Sequence, residues 1–414
     1  MSIQALHTGV SGLQTFQTAI DITSDNIANV NTIGYRGYSA EFASLFQESL
    51  DVTAKSPSSG VGYGTRVQAT NMIQETGSNI LTEKNTDIAI NGDGWFGVTN
   101  DINTQYTRAG NFTFDANNDL VTQDGYFVLG TKAGNISGEI LAPVVDETLL
   151  GDVQSQEKLR FPKNLSYPPE PTTNADFYGN LGLVDEPRTI SATVVDADSN
   201  RNNLELLFAK SATQVPPGVQ WDVTATTKNL DGQTIYDTKT GVLNFAGDGS
   251  LISNTLDTID NNGTAVNINV GSGYSGIVVT NAPISGSSTA DGTIGGGLIG
   301  YEINLNAEVI ATFTNGAQSS VGKIALYHFQ NDEGLDRTSG TRFQKSSNSG
   351  DPIFYQDANG QNILGSTVNN YRLENANVKL ETSLTELIIF QRAYDANSKV
   401  ISTADQMIQK ALQM

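Results

Sequence analysis

Apolar residues recur every three or four positions at both ends of the chain and every second position through much of the middle. From Ile3 the helical spacing runs through Leu6, Val10, Leu13, Gln17, Ile20, Ser24 and Ile27, which predicts an amphipathic helix with a coiled-coil-like seam. From Leu380 the same spacing gives Leu384, Leu387, Gln391, Tyr394, Ser398, Ile401, Asp405, Ile408 and Leu412. A second row on that helix, made of Ile388, Ala393, Ala396, Val400, Ala404 and Met407, widens the stripe, and a helix with two apolar faces needs two neighbours. Gln391, Ser398 and Asp405 are either register-setting polar positions or the edge of the stripe. The two terminal helices pair with each other on the chain's own surface or pack against other chains, and the pattern leaves both open. Because isolated helices are marginal in water, they are expected to order on assembly, with Ile401 in an intermolecular seam.

The middle reads as β. Residues 301–313 place Tyr301, Ile303, Leu305, Ala307, Val309, Ala311 and Phe313 on one face, predicting one long half-buried strand. Asn315-Gly316 then predicts a hairpin turn and 323–327 another strand. Short strands are expected at 88–90, 95–98, 112–114 and 126–129, punctuated by Asn91-Gly92, Asp93-Gly94 and Asp124-Gly125. Pro162, Pro168, Pro169 and Pro171 mark a linker into an inserted all-β unit with strands near 204–208 and 221–225. The Gly/Ser/Thr-rich stretch 285–297 reads as its flexible return. The predicted fold is mainly β with α-helical termini, in which N- and C-terminal helices form a coiled-coil-like core domain followed by nested all-β domains. Residues 1–30 with 372–414 form the terminal helical polymerisation domain, 31–72 with 360–371 a connecting segment, 73–147 with 290–359 the first β-domain, and 148–289 the inserted outer β-domain.

Composition narrows the function. A length of 414 residues implies more than one compact unit, and 41 Gly with 38% hydrophobic residues suit turns and polar β-surface. The formal charge of -21 opposes phosphate-backbone binding, so nucleic acid is not an expected partner. Residues 1–40 carry a net -1 and residues 372–414 balance, which leaves -20 between 41 and 371. Such a middle faces solvent while the near-neutral ends suit contact with other chains. The absence of cysteine excludes disulfides and thiolate chemistry, and the only histidines are His7 and His328. No signal peptide and no apolar run of ~18 residues is present, so no membrane insertion is expected, and composition alone reads as soluble and cytoplasmic.

Three motifs imitate chemistry. Gly295-Gly296-Gly297-Leu298-Ile299-Gly300 fits a dinucleotide fingerprint in letters, but a strand rather than a helix should follow it. Asp115, Asn117 and Asp119 copy the first calcium-ligand positions of an EF-hand, yet Leu120 replaces the required Gly and Tyr126 the bidentate Glu, so a polar hairpin turn is expected. Asp332 and Glu333 lack any acid-base constellation. Catalytic, cofactor and metal sites are all expected to be absent.

Ser11-Gly12-Leu13 and Ser24-Asp25-Asn26-Ile27-Ala28-Asn29-Val30-Asn31-Thr32-Ile33-Gly34-Tyr35 resemble the signature of the bacterial flagellar rod and hook proteins. Gln391-Arg392-Ala393-Tyr394-Asp395-Ala396-Asn397-Ser398-Lys399-Val400-Ile401 resembles that family's other hallmark. Asp25 stands where the family more usually has Asn. Ala40-Glu41-Phe42-Ala43-Ser44-Leu45-Phe46, 312–316 and 321–326 are similar to the hook-type members. The resemblance spans about residues 1–130 and 300–414. It implies a structural subunit of a flexible helical tube that passes motor torque from rod to filament, with the terminal helices innermost. It further implies an extracellular location in the hook and basal body, reached by flagellar type III export without a cleaved signal peptide. The implied partners are other copies of the chain, the distal rod protein, the hook cap protein, the hook-filament junction protein and the export apparatus. The competing readings are a distal rod subunit and an extracellular β-rich hydrolase. Asn29, Asn31, Gly34 and Tyr35 are expected where the first helix stops, because Asn and Gly tolerate a left-handed C-cap.

Overall fold

The computed structural model describes residues 2–45, 64–142, 144–214 and 216–413, so Phe46 and the 46–63 part of the expected connecting segment lie outside the described residues. Helix α1 (Ser2–Ala28) and helix α2 (Leu380–Leu412) run antiparallel, with Gly9 against Ile401 and Gly12 against Asn397. Glu381 in the first turn of α2 and Lys410 in its last complement the helix dipole. After α1 the chain forms an antiparallel hairpin of strands Tyr38–Ser44 and Thr65–Met72. Phe16 of α1, Phe42 of the hairpin and Phe390 of α2 meet as a ring cluster with centroids 5.8 to 6.2 Å apart.

The first β unit is built on one sheet of 15 strands. Its core holds Phe96, Phe112, Leu129, Phe313, Tyr327 and Phe343. The stretch 301–313 is not one strand. Strand Gly296–Ile303 ends in a tight turn, and strand Glu308–Phe313 returns antiparallel to it. Local polar bonding overrides the alternation: Asn304 Oδ1 accepts the N–H groups of Asn306 and Glu308, both at 2.9 Å, and Ala307 adopts φ 57°. Tyr301, Ile303, Val309, Ala311 and Phe313 are buried as expected of the inward face, but Leu305 sits exposed in the turn. The Asn315-Gly316 turn does close a hairpin, with Gly316 at φ 83° and the following strand starting early, at Gln318–Ile324.

Leu150, Leu159, Phe161, Leu165 and Tyr167 also belong to this first core, so the chain passes into the second unit near Thr172 rather than at 148. The proline stretch is no free linker, since strand Ser166–Tyr167 pairs with Gly296–Ile303 and Tyr301 Oη donates to the Pro162 carbonyl at 2.7 Å. In the second unit a five-stranded antiparallel meander, from Arg188–Val195 to Leu251–Asn254, faces a six-stranded sheet centred on Asn174–Asn180. Trp221, Val223 and Ala225 alternate inward from strand Val219–Asn229 into a core separate from the first. Its return is not flexible: Ser285–Ala290 is a strand paired along its whole length with Asn174–Asn180. Small residues there suit close approach, since a Cβ on Gly286 would lie 2.9 Å from Ile190 Cγ1. Strand Tyr355–Gln356 pairs with Asn362–Ile363, and Thr367–Asn370 pairs with Ile88–Asn91, although 360–371 was expected as connecting segment.

Candidate assembly surface

The contact between the terminal helices is made by small residues. Among the described side chains of α1 the buried positions are Gly9, Gly12, Thr15, Ala19, Thr23 and Asn26, three or four apart on one face. A Cβ on Gly12 would fall 2.5 Å from Asn397 Oδ1, and one on Gly9 2.7 Å from Ile401 Cγ1, so the glycines admit the neighbouring helix. Thr15 Oγ1 donates to the Thr65 carbonyl at 2.9 Å, fixing the hairpin on the same face.

On α1 the expected seam lies beside this buried row rather than on it. Leu6, Leu13, Ile20 and Ile27 are only half-buried and Val10 is exposed. On α2, Leu387, Tyr394, Ile401 and Ile408 are half-buried, whereas Leu380, Leu384, Ile388, Ile389, Val400, Met407 and Leu412 are exposed. Ile401, expected in an intermolecular seam, already packs on Gly9 within the chain, because glycine leaves room for its branched side chain. Of the second row, Ala404 is buried and Ala393 half-buried, while Ala396 is exposed. Gln391, Ser398 and Asp405 are exposed along the edge of the stripe, and Asp405 Oδ2 accepts from Gln409 of its own helix at 2.9 Å. Contiguous apolar surface left in water is uncommon on monomers and typical of protein contact sites.

The bases of both helices are tied to the first β unit by polar groups. Asn26 accepts the Tyr38 N–H at 3.0 Å and donates to the Tyr38 carbonyl at 2.7 Å, so its amide pairs with the strand as a backbone would. Asn377 does the same opposite, accepting from Gly37 N–H at 2.8 Å and donating to the carbonyls of Ile73 and Glu75. Glu374 receives Arg36 Nη2 at 3.0 Å and Arg108 Nη1 at 3.3 Å, with all three side chains almost fully buried. Burial, with repulsion from Arg36, brings the Arg108 guanidinium down to about 10 against the attraction of Glu374. Sequence pattern did not single out Arg36, Arg108 or Glu374. Arg36 and Arg108 stand as lone charges amid aromatic and small residues, whereas Glu374, two positions from Arg372, carries no such signal.

Residues 6–36 match the flagella basal body rod protein family, residues 89–160 the flagellar hook protein FlgE/F/G D1 domain, and residues 370–414 the C-terminal flagellar basal body rod FlgEFG protein family. Flagellar hook protein FlgE of Borreliella burgdorferi is 29% identical over 451 aligned positions, covering 100% of this chain and 99% of that protein. Its namesake in Salmonella typhimurium is 27% identical, covering 96% of this chain and 97% of that one. Along nearly its whole length the chain is similar to flagellar hook proteins, and both of its ends match flagellar rod and hook family models. A crystal structure of Helicobacter pylori flagellar hook protein FlgE2 shares the fold, with a TM-score of 0.54 at 15% identity over 72% of this chain and 100% of that one. The family is structural and belongs to the flagellum and its basal body.

The family motif residues take distinct places. Gly12, Ala393, Tyr394 and Asn397 lie between the helices, Gln391, Arg392 and Ala396 on the open side. Ser11 Oγ accepts the Thr65 N–H at 3.3 Å, and Thr32 Oγ1 donates to Asn29 Oδ1 at 3.2 Å. Ala28 ends α1, and Asn31 is exposed beyond it. The C-cap expectation needs correction. The chain leaves α1 through right-handed turns, with Thr32 N–H on the Asn29 carbonyl at 2.9 Å, and Asn29 and Asn31 both keep negative φ. Gly34 does adopt φ 68°, but for close approach: a Cβ there would fall 2.3 Å from Ala109 N. Tyr35 is buried with Ala376 and Val378, and burial raises its hydroxyl pKa.

Proposed function

We propose that this chain is a subunit of the bacterial flagellar hook, self-assembling into a flexible helical tube that transmits torque from rod to filament. Relatives named flagellar hook protein FlgE align with it from end to end. The observation that carries the assembly reading is the exposed apolar face of α2 on a helix pair already joined through small residues. A head-to-tail contact whose rotation does not close builds an open filament from one repeated interface. In this reading residues 1–30 and 372–414 polymerise, the first β unit surrounds them, and the acidic second unit lies outermost, where polar contacts exchange as the tube bends. No bond is made or broken. The chain leaves the cell through the flagellar type III apparatus, grows on the distal rod protein beneath the hook cap protein, and later carries the hook-filament junction protein.

Ile389→Asp tests the interface. Ile389 is 56% exposed, so the soluble chain should melt as the parent does. In a polymer the unpaired carboxylate costs several kcal/mol, and each ~1.4 kcal/mol is tenfold in critical concentration. Sedimentation at a series of concentrations should show polymerisation lost or shifted by orders of magnitude. Polymer at the parent's concentration would remove this face from the interface, and straight, rigid polymers in micrographs would assign the chain to the distal rod instead.

A further inference from the structure

We propose that Arg337 is a positioning residue that sets the angle at which the helical pair leaves the first β unit. Arg337 stands on strand Asp336–Ser339, in a hairpin with Arg342–Gln344. From there it reaches back across the junction to residues more than 300 positions earlier. Its Nη1 donates to Asp25 Oδ2 at 3.3 Å and to Tyr35 Oη at 3.4 Å, its Nη2 to the Arg36 carbonyl at 3.2 Å, and its Nε to Gly340 of its own turn at 3.0 Å. The same guanidinium lies over the Tyr35 ring at 4.3 Å and the Tyr38 ring at 5.2 Å. Every nitrogen is engaged while the face is stacked, a combination available to the flat arginine fork and not to an ammonium.

The location gives this cluster its role. The bonds of Asn26, Asn377 and Glu374 hold the base of the helices from inside, close to where the chain enters and leaves them. Such an anchor keeps the two bodies together but permits rocking about it. Arg337 adds an attachment at the rim, on the outer side of α1 next to Asn26, where the Asp25 side chain is 57% exposed. Two attachments that do not coincide fix an angle, and releasing the outer one leaves a pivot. Because Asp25 faces water, its share of the restraint is screened by salt, whereas the stack on Tyr35 is screened less. The angle is a property of the soluble chain. Only its consequence for curvature rests on the reading of the chain as a hook subunit.

The absence of cysteine permits a direct measurement on the full chain. Spin labels on Gln14→Cys in α1 and Ser347→Cys in the first β unit, both exposed positions, report the orientation as an electron-electron distance distribution. The parent should give one narrow population that broadens as salt is raised. Arg337→Ala should replace it by a broad or shifted distribution, with Arg337→Lys between the two. Asp25→Asn should be partly broadened at low salt and insensitive to further salt. A narrow, unchanged distribution in Arg337→Ala overturns the proposal. Should that variant unfold, the salt series on the parent and on Asp25→Asn decides alone, and identical salt responses overturn it equally. Failure of the parent to polymerise would count against the hook reading and leave the distance result standing.

Discussion

Trp221, Phe177, Phe208 and Phe245 lie fully buried between the sheets of the second β unit, while among the described apolar residues of α2 only Ala404 is buried. Both regions carry apolar residues at the period of their secondary structure, yet one encloses them and the other displays them. The β unit completes its burial with its own strands. The helical pair is joined by Gly9, Gly12, Thr15 and Ala19 on one side and keeps Leu384, Ile388, Ile389 and Met407 in water. The first arrangement makes stability intrinsic. The second makes it conditional on a neighbour, since binding to the folded state alone adds stability by mass action. A subunit that must stay soluble until it reaches a growing polymer gains from keeping these two properties in different parts of the chain.

The contrast can be broken most directly by truncating one large side chain on each side of it. Phe208→Ala should destabilise the second unit by about 3–5 kcal/mol, because transfer and cavity terms add at a fully buried site. Leu384→Ala should leave the melting of the soluble chain within error while weakening polymerisation. Equal losses in the two monomers, measured by calorimetry, would mean that the α2 face is already covered. A smaller effect is expected from Gly12→Val, which drives side-chain atoms into Asn397 and should cost roughly 1–3 kcal/mol. Helical circular dichroism should melt earlier while the β units hold, and a common shift of both transitions would show that the regions fold as one.

The smallest effect concerns pH. Burial would raise the Asp291 carboxyl, but hydrogen bonds from Asn174 and Thr173 outweigh it and hold the group at about 2. An unfolded aspartate titrates near 3.9. The stabilisation is therefore complete above about pH 4 and disappears as pH falls through about 2. The melting temperature of the second unit should drop less between pH 5 and pH 2 in Asp291→Asn than in the parent. An identical drop would show that this clasp, where the chain leaves the second unit, contributes nothing to the acid limb.

Helical period at both termini, the Asn315-Gly316 hairpin and the presence of an inserted β unit were legible in the sequence, because each is set by residues within a few positions of one another. The strand expected through 301–313 broke at Asn304 because one side chain offered the backbone a local alternative that alternation of apolar residues does not register. The face by which α1 meets α2 was not legible for a different reason: Gly9, Gly12 and Thr15 carry no hydrophobic signal, and their value is the space they leave for Asn397 and Ile401. Glu374 between Arg36 and Arg108, and Arg337 on Asp25 and Tyr35, depend on partners brought together from opposite ends of the chain. Periodicity fixes which residues share a face of a helix or strand. Which neighbour that face meets is decided by shape and by polar groups hundreds of positions away, and these act only once the chain has folded.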